Sequence, residues 1–187
     1  MDYYDKKFDG KDYTKESIET GEYDNCIFDN CNFSGIDLSG CRFLETAFKD
    51  CNLSNAKLYK TSFQEVLFDT CKMIGLRFDT CNEFNFSAKY DNCNLSHSVF
   101  YRMKLSKSSF LKCELEEVDF TEAEMKGVSL VGCNLRRATF ERTDLEKADL
   151  REAITYDIDP ELNNLRGAKF SSPEVVRLLE KYRIEIE

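Results

Sequence analysis

The chain has 187 residues, with 26 Lys and Arg against 35 Asp and Glu, and a net charge of −9. That length suits one domain whose core needs no staples. The acidic balance argues against direct binding of nucleic acid, and a single His leaves no His cluster for a metal.

The first residues, Met1 to Gly10, hold no apolar run of the kind a secretory signal needs. No stretch reaches the roughly 18 apolar residues of a membrane span. A cytoplasmic, non-membrane protein is expected. Residues 1–12 are polar with scattered aromatics, Tyr3, Tyr4 and Phe8, and read as an N-terminal cap that begins or covers the first turn of a repeating body.

From Tyr13 a period of five takes over. Large apolar residues stand at Phe28, Phe33, Leu38, Phe43, Phe48, Leu53, Leu58, Phe63, Phe68, Met73 and Phe78. After a break they resume at Tyr90, Leu95, Phe100, Leu105 and Phe110, and run on to Leu150. Two places before each centre lies a slim residue, and all nine Cys fall in that slot or, for Cys81, in its continuation. The other three places are mostly Asp, Asn, Ser, Lys, Glu, Arg and Gly. Neither a helix nor a strand repeats every five residues, so the period describes a larger unit. Units such as C-N-F-S-G, C-N-L-S-N and E-A-D-L-R resemble the pentapeptide repeat family, whose consensus is A-(D/N)-L-X-X. The resemblance implies an all-β solenoid: a right-handed quadrilateral β-helix, one pentapeptide per side and about 20 residues per coil, over residues 13–153.

On such a coil, centres 20 apart form columns, for example Phe28, Phe48 and Phe68. Cys31, Cys51 and Cys71, then Cys93, Cys113 and Cys133, stack on one interior face. Side chains that point in parallel do not present disulfide geometry, so the thiols read as small buried hydrophobes. Zinc or redox chemistry at these Cys is the minor alternative.

The phase slips between Phe78 and Tyr90, where twelve residues replace ten. The centre due there is Glu83, and a carboxylate is not buried unpaired. Residues 81–87 therefore read as an outward loop. Asn82, Glu83, Phe84 and Asn85 are the candidate partner contacts, while Phe84 and Phe86 either fold under the loop, the favoured reading, or face a partner.

After Ala153 the period fails at Thr155 and Pro160. Residues 154–187 read as a connector, a last partial coil rejoining the rod at Leu165 and Phe170, a short α-helix and a terminal strand. Ser171 or Ser172 can cap the helix, Pro173 suits its first turn and Glu174 completes a capping box. Val175, Val176, Leu178, Leu179 and Tyr182 make its apolar face, and Arg183 to Glu187 alternates like an edge strand. That face either caps its own rod or meets a second copy. This tail resembles that of pentapeptide proteins of the Qnr, MfpA and McbG type. The resemblance implies an end-to-end homodimer through Val175, Leu178, Leu179, Tyr182, Ile184 and Ile186.

No catalytic constellation, phosphate loop or cofactor site is legible, and His97 falls on an outward position. A non-enzymatic binding protein is expected. The resemblance to the Qnr type implies a duplex-DNA mimic engaging a type II topoisomerase such as DNA gyrase, with a link to quinolone or toxin resistance. A rigid scaffold for another protein is the alternative. Seven coils at about 4.8 Å make a rod of roughly 34 Å, and B-DNA of that length carries about 20 charges. The rod's net charge is about a third of that, so mimicry requires acids gathered on one face. The long projecting loops of the Qnr type are absent here.

Overall fold

A computed structural model describes residues 1–185. Ile186, assigned to the dimer contact on sequence grounds, lies outside the described residues. The chain winds into a parallel β-solenoid of about eight turns, each of about 20 residues, one turn more than the repeat count suggested.

Three parallel ladders mark the sides. Strands β1 (Asp2–Tyr4), β3 (Glu22–Asp24), β5 (Arg42–Leu44) and β7 (Ser62–Gln64) stack on the first side. The second side holds β2 (Lys7–Asp9), β4 (Ile27–Asp29), β6 (Ala47–Lys49), β8 (Val66–Asp69), β9 (Ala88–Asp91) and β10 (Ser109–Leu111) in one six-stranded sheet. A later pair, β11 (Asp149–Leu150) and β12 (Lys169–Phe170), closes the last coil on that side. The third and fourth sides are built from single bridges such as Asn32 to Asn52 and Asp37 to Lys57. The ladder begins at Asp2, because β1 and β2 pair with β3 and β4. Residues 1–12 are thus the first turn itself rather than a separate cap, and Tyr3, Phe8, Tyr13 and Ile18 are only partly buried there.

The pentapeptide follows from local chemistry. The centre and the slim residue two before it both point inward, and every thiol is buried. The Asp or Asn before the centre accepts a hydrogen bond from the backbone two residues on, as Asn32 does from the Ser34 N–H (3.1 Å) and Asp119 from the Thr121 N–H (2.8 Å). The corner that comes next needs positive φ. Asn and Gly fill many corners, but Thr70 (φ 54°) and His97 (φ 62°) hold the same conformation. Gly21 occupies an inward slot for a different reason: a Cβ there would lie 1.8 Å from the Met1 carbonyl oxygen.

Rings stack up the core. In the second-side column Phe8, Phe28, Phe48, Phe68, Tyr90 and Phe110 lie 4.7–5.3 Å apart, centroid to centroid, all in stacked geometry. Neighbouring columns meet edge to face, as Phe43 and Phe48 do at 5.2 Å.

Candidate partner-binding surface

The nine thiols are free and buried. In the long column each bonds to backbone carbonyls: Cys51 Sγ donates to Phe28 O (3.4 Å) and Lys49 O (3.1 Å), and Cys71 repeats this with Phe48 and Asp69. Burial pushes the Cys31 thiol up to about 11 and raises those of Cys41 and Cys81. Hydrogen bonds to neighbouring sulfurs, then burial, raise Cys71 and Cys113. The thiols of Cys31, Cys41, Cys71, Cys81 and Cys113 are thus held protonated as packing groups, and among the described residues no three His, Cys, Asp or Glu gather as metal ligands. His97 lies on an exposed corner with Nδ1 3.2 Å from Glu117.

Surface charge divides the rod along its length. In the second half, bases and acids one coil apart pair along the axis. Arg102 and Arg142 both grip Glu122 (2.6 and 2.7 Å), Lys126 meets Glu146 (3.0 Å), Arg137 meets Glu117 (3.2 Å) and Arg136 meets Glu116. In the first half many acids have no such partner among the described residues. Asp24, Glu45 and Glu65 lie at or just before the corner that ends the first side, and Asp50, Asp69 and Asp91 at or just before the corner that ends the second. Between these two acidic edges runs the second-side sheet with Ile27, Ala47 and Leu67 outward; Ile27 and Leu67 are exposed. The acids therefore concentrate on two edges of one half of the rod and do not cover a whole face.

The phase slip is a loop, as expected, but it divides its two rings. Phe84 is 70% exposed, whereas Phe86 is 4% exposed and packs edge-on against Phe63 and Phe78. The favoured reading that both fold under is corrected for Phe84. The cause is the turn itself. Asn82 Oδ1 accepts from Phe84 N–H (3.0 Å), Asn85 takes φ 54°, and Phe86 N–H bonds Glu83 O (3.3 Å). This is the pentapeptide turn with Glu83 in the centre's place. The carboxylate stays out, and Phe86 supplies the interior ring. Asn82, Glu83, Phe84 and Asn85 are all exposed and contiguous.

The tail differs from expectation in three respects. Tyr156 and Ile158 are buried where Thr155 and Pro160 were due, and Asn163 enters the inner slot, donating to Phe140 O (2.9 Å). The helix spans Glu174–Tyr182 and is 3₁₀ rather than α, with Pro173 at its N-cap and no side-chain cap. The capping box does not form because Ser171 Oγ accepts from the Glu152 N–H and Glu174 pairs with Arg177 (2.8 Å). At the other end Arg183 turns left-handed (φ 51°), so no strand forms over residues 183–185. Only Leu178 of the apolar face packs against the core. Val175, Val176, Leu179, Tyr182 and Ile184 are exposed, held in place by Lys181 on Asp159 and Glu161 and by Tyr182 Oη on Glu161. The rod end thus leaves most of this face uncovered.

The repeats were legible in the sequence. The two acidic edges were not, because they join residues 20 apart that differ in type from coil to coil.

No helix among the described residues is long and apolar enough to cross a membrane. No curated protein matches the chain. Among solved structures it is similar to a trypsin-treated form of QnrB1, described as a plasmid-mediated fluoroquinolone resistance protein, at 25% identity over 100% of both chains with a TM-score of 0.50. A second trypsin-treated QnrB1 gives 24% identity, a TM-score of 0.52 and the same coverage. HetL, a pentapeptide repeat protein involved in heterocyst differentiation regulation from the cyanobacterium Nostoc, gives 18% identity over 89% of this chain and 86% of its own, with a TM-score of 0.46. A family model described as a pentapeptide repeat region matches residues 22–86 and 77–150. With the coil geometry in hand, that match makes this chain a member of the pentapeptide repeat family.

Proposed function

We propose that this is a non-enzymatic binding protein that modulates or protects a type II topoisomerase. The observation that carries this reading is the end-to-end likeness to QnrB1, a fluoroquinolone resistance protein. Two features of the surface support it. Carboxylates line two edges of the first half of the rod, in the manner of two phosphate rows. The uncovered residues Val175, Val176, Leu179, Tyr182 and Ile184 at the far end suit an isologous contact that doubles the rod's length. In this reading the protein works in the cytoplasm as a homodimer, needs no cofactor, and repels nucleic acid.

The test is a DNA gyrase supercoiling assay with a fluoroquinolone. Micromolar protein should restore supercoiling or alter it without the drug. A dose series with no effect in either arm removes the reading.

A second reading, a rigid scaffold for another protein, is favoured by one observation. The axial pairs around Glu117 and Glu122 neutralise the second half of the rod, where a DNA mimic would stay charged. Charge reversal of Asp50, Asp69 and Asp91 separates the two: it should abolish a topoisomerase effect and spare a scaffold contact elsewhere.

A further inference from the structure

The ladder of hydrogen bonds between coils is broken at one place on the first side. Further along this side each coil's outward backbone pairs with the one before, as Glu124 N–H does with Met103 O (2.9 Å) and Asp144 N–H with Ala123 O (3.0 Å). One coil earlier, Lys104 N–H finds no backbone partner among the described residues, and neither do the carbonyls of Lys104 and Ser106. The N–H groups that would meet those carbonyls belong to Glu83 and Asn85, which the turn at 82–86 has carried outward. Lys104–Ser106 is therefore a free strand edge in the middle of the rod.

Beside it lies a cleft of about 640 Å³. It opens where the corner between the first and second sides is recessed. Gln64, Glu65 and Leu67 line one bank, and Ser87, Lys89 and Lys107 the other. Leu67 gives it an exposed apolar patch. Lys89 pairs in register with Ser109, two residues beyond Lys107, so these two lysines line the cleft from adjoining turns, and Lys104 stands on the open edge next to it in the chain. None of the three forms an ion pair among the described residues. In a chain of net charge −9 this is a local cluster of exposed cations around an unpaired edge.

We propose that this cleft is a strand-addition site for an extended acidic segment of a partner protein. The segment's backbone pairs with the Lys104–Ser106 edge, its carboxylates meet Lys89, Lys104 and Lys107, and an apolar side chain rests on Leu67. The free donor and acceptors supply affinity without regard to side chains, and the lysines select for acid. A basic segment gains nothing, because Glu65 is the cleft's one carboxylate and the three ammonium groups repel it.

The test needs no topoisomerase, so its failure and the failure of the proposed function are distinguishable. Isotope-labelled full-length protein is titrated with a pool of short labelled peptides that alternate Glu with Val, Ile or Phe. The matching pool with Lys for Glu is run beside it, and a single-stranded thymidine oligomer serves as a second polyanion. The acidic pool should shift the Lys104, Leu105 and Ser106 amides and slow hydrogen exchange at the Lys104 N–H. The double variant Lys89→Glu with Lys107→Glu, both exposed and free of structural bonds, should bind it about tenfold or more weakly. Absence of binding by the acidic pool overturns the proposal, as does equal binding by the basic pool. An oligomer that binds the same lysines as tightly as the peptides, with Lys104 exchange unslowed throughout, assigns the cleft to polyanions in general and also overturns it.

Discussion

Phe68 and Tyr90 stack with ring centroids 5.3 Å apart and planes within 6°, although 22 residues separate them and every earlier pair in their column is 20 apart. The two extra residues are absorbed wholly on the first side, at 82–86, before the chain reaches the second. A solenoid tolerates an insertion at a corner because each side pairs only with its own neighbours above and below.

Tyr90 carries a cost that its column does not need. Its hydroxyl is buried and reaches no partner among the described residues, and the rings above and below are Phe. An unsatisfied buried hydroxyl costs about 1–3 kcal/mol. Tyr90→Phe is expected to raise the stability by about 1 kcal/mol, read as a higher denaturant midpoint at unchanged slope. A lower midpoint would show that the hydroxyl is satisfied.

Two phenylalanines should behave in opposite ways. Phe48 is fully buried between Phe28 and Phe68, in coils that cannot close on a gap. Phe48→Ala should cost about 3–5 kcal/mol. Phe84, 70% exposed, should cost less than about 0.5 kcal/mol when changed to Ala. Similar losses at both sites would mean that the loop packs against the rod.

Alkaline pH should unfold the rod through its thiols. An unfolded thiol ionises near 9.0, and burial holds the Cys31 proton up to about 11. Between those values the unfolded chain releases a proton that the native chain keeps. Stability is therefore full below pH 9 and falls as the pH rises towards 11. Urea unfolding at stepped pH reads this directly, and Cys31→Ala should make the decline shallower. A flat profile across that window contradicts protonated, dry thiols.

Corners offer a gain. Thr70 is β-branched and held at φ 54°, a conformation that glycine adopts freely. Thr70→Gly should stabilise the rod by roughly 1 kcal/mol, the size of the left-handed penalty. Thermal unfolding of the single variant is the measurement, and a lower transition temperature would mean that the Thr70 hydroxyl bond to Asp69 outweighs the strain.

The proposed dimer makes a concentration-dependent claim. Val175→Asp with Leu179→Asp places charge on the uncovered face at the rod's end. The native chain should sediment as a dimer and the variant as a monomer of unchanged circular dichroism. Monomer for both at high micromolar concentration would leave that face without a partner copy.

The solenoid, its inward columns and the burial of every thiol are legible from the residues alone. The five-residue period shows only that the unit is larger than a helical turn or a strand pair, and its likeness to the pentapeptide repeat consensus implies the four-sided coil that puts Phe28, Cys31 and Phe48 inside. Tertiary structure decided what depends on stacking rather than on period. It turned Glu83 outward and Phe86 inward, paired Arg102 and Arg142 on Glu122, and left the Lys104 edge open. Those outcomes join residues about 20 apart or more, and only the closed coil fixes which of them become neighbours. It also left Val175 and Leu179 exposed on a 3₁₀ helix. Cap and helix type are set there by competition, since Ser171 and Glu174 spend their side chains on Glu152 and Arg177, and no local pattern records that choice.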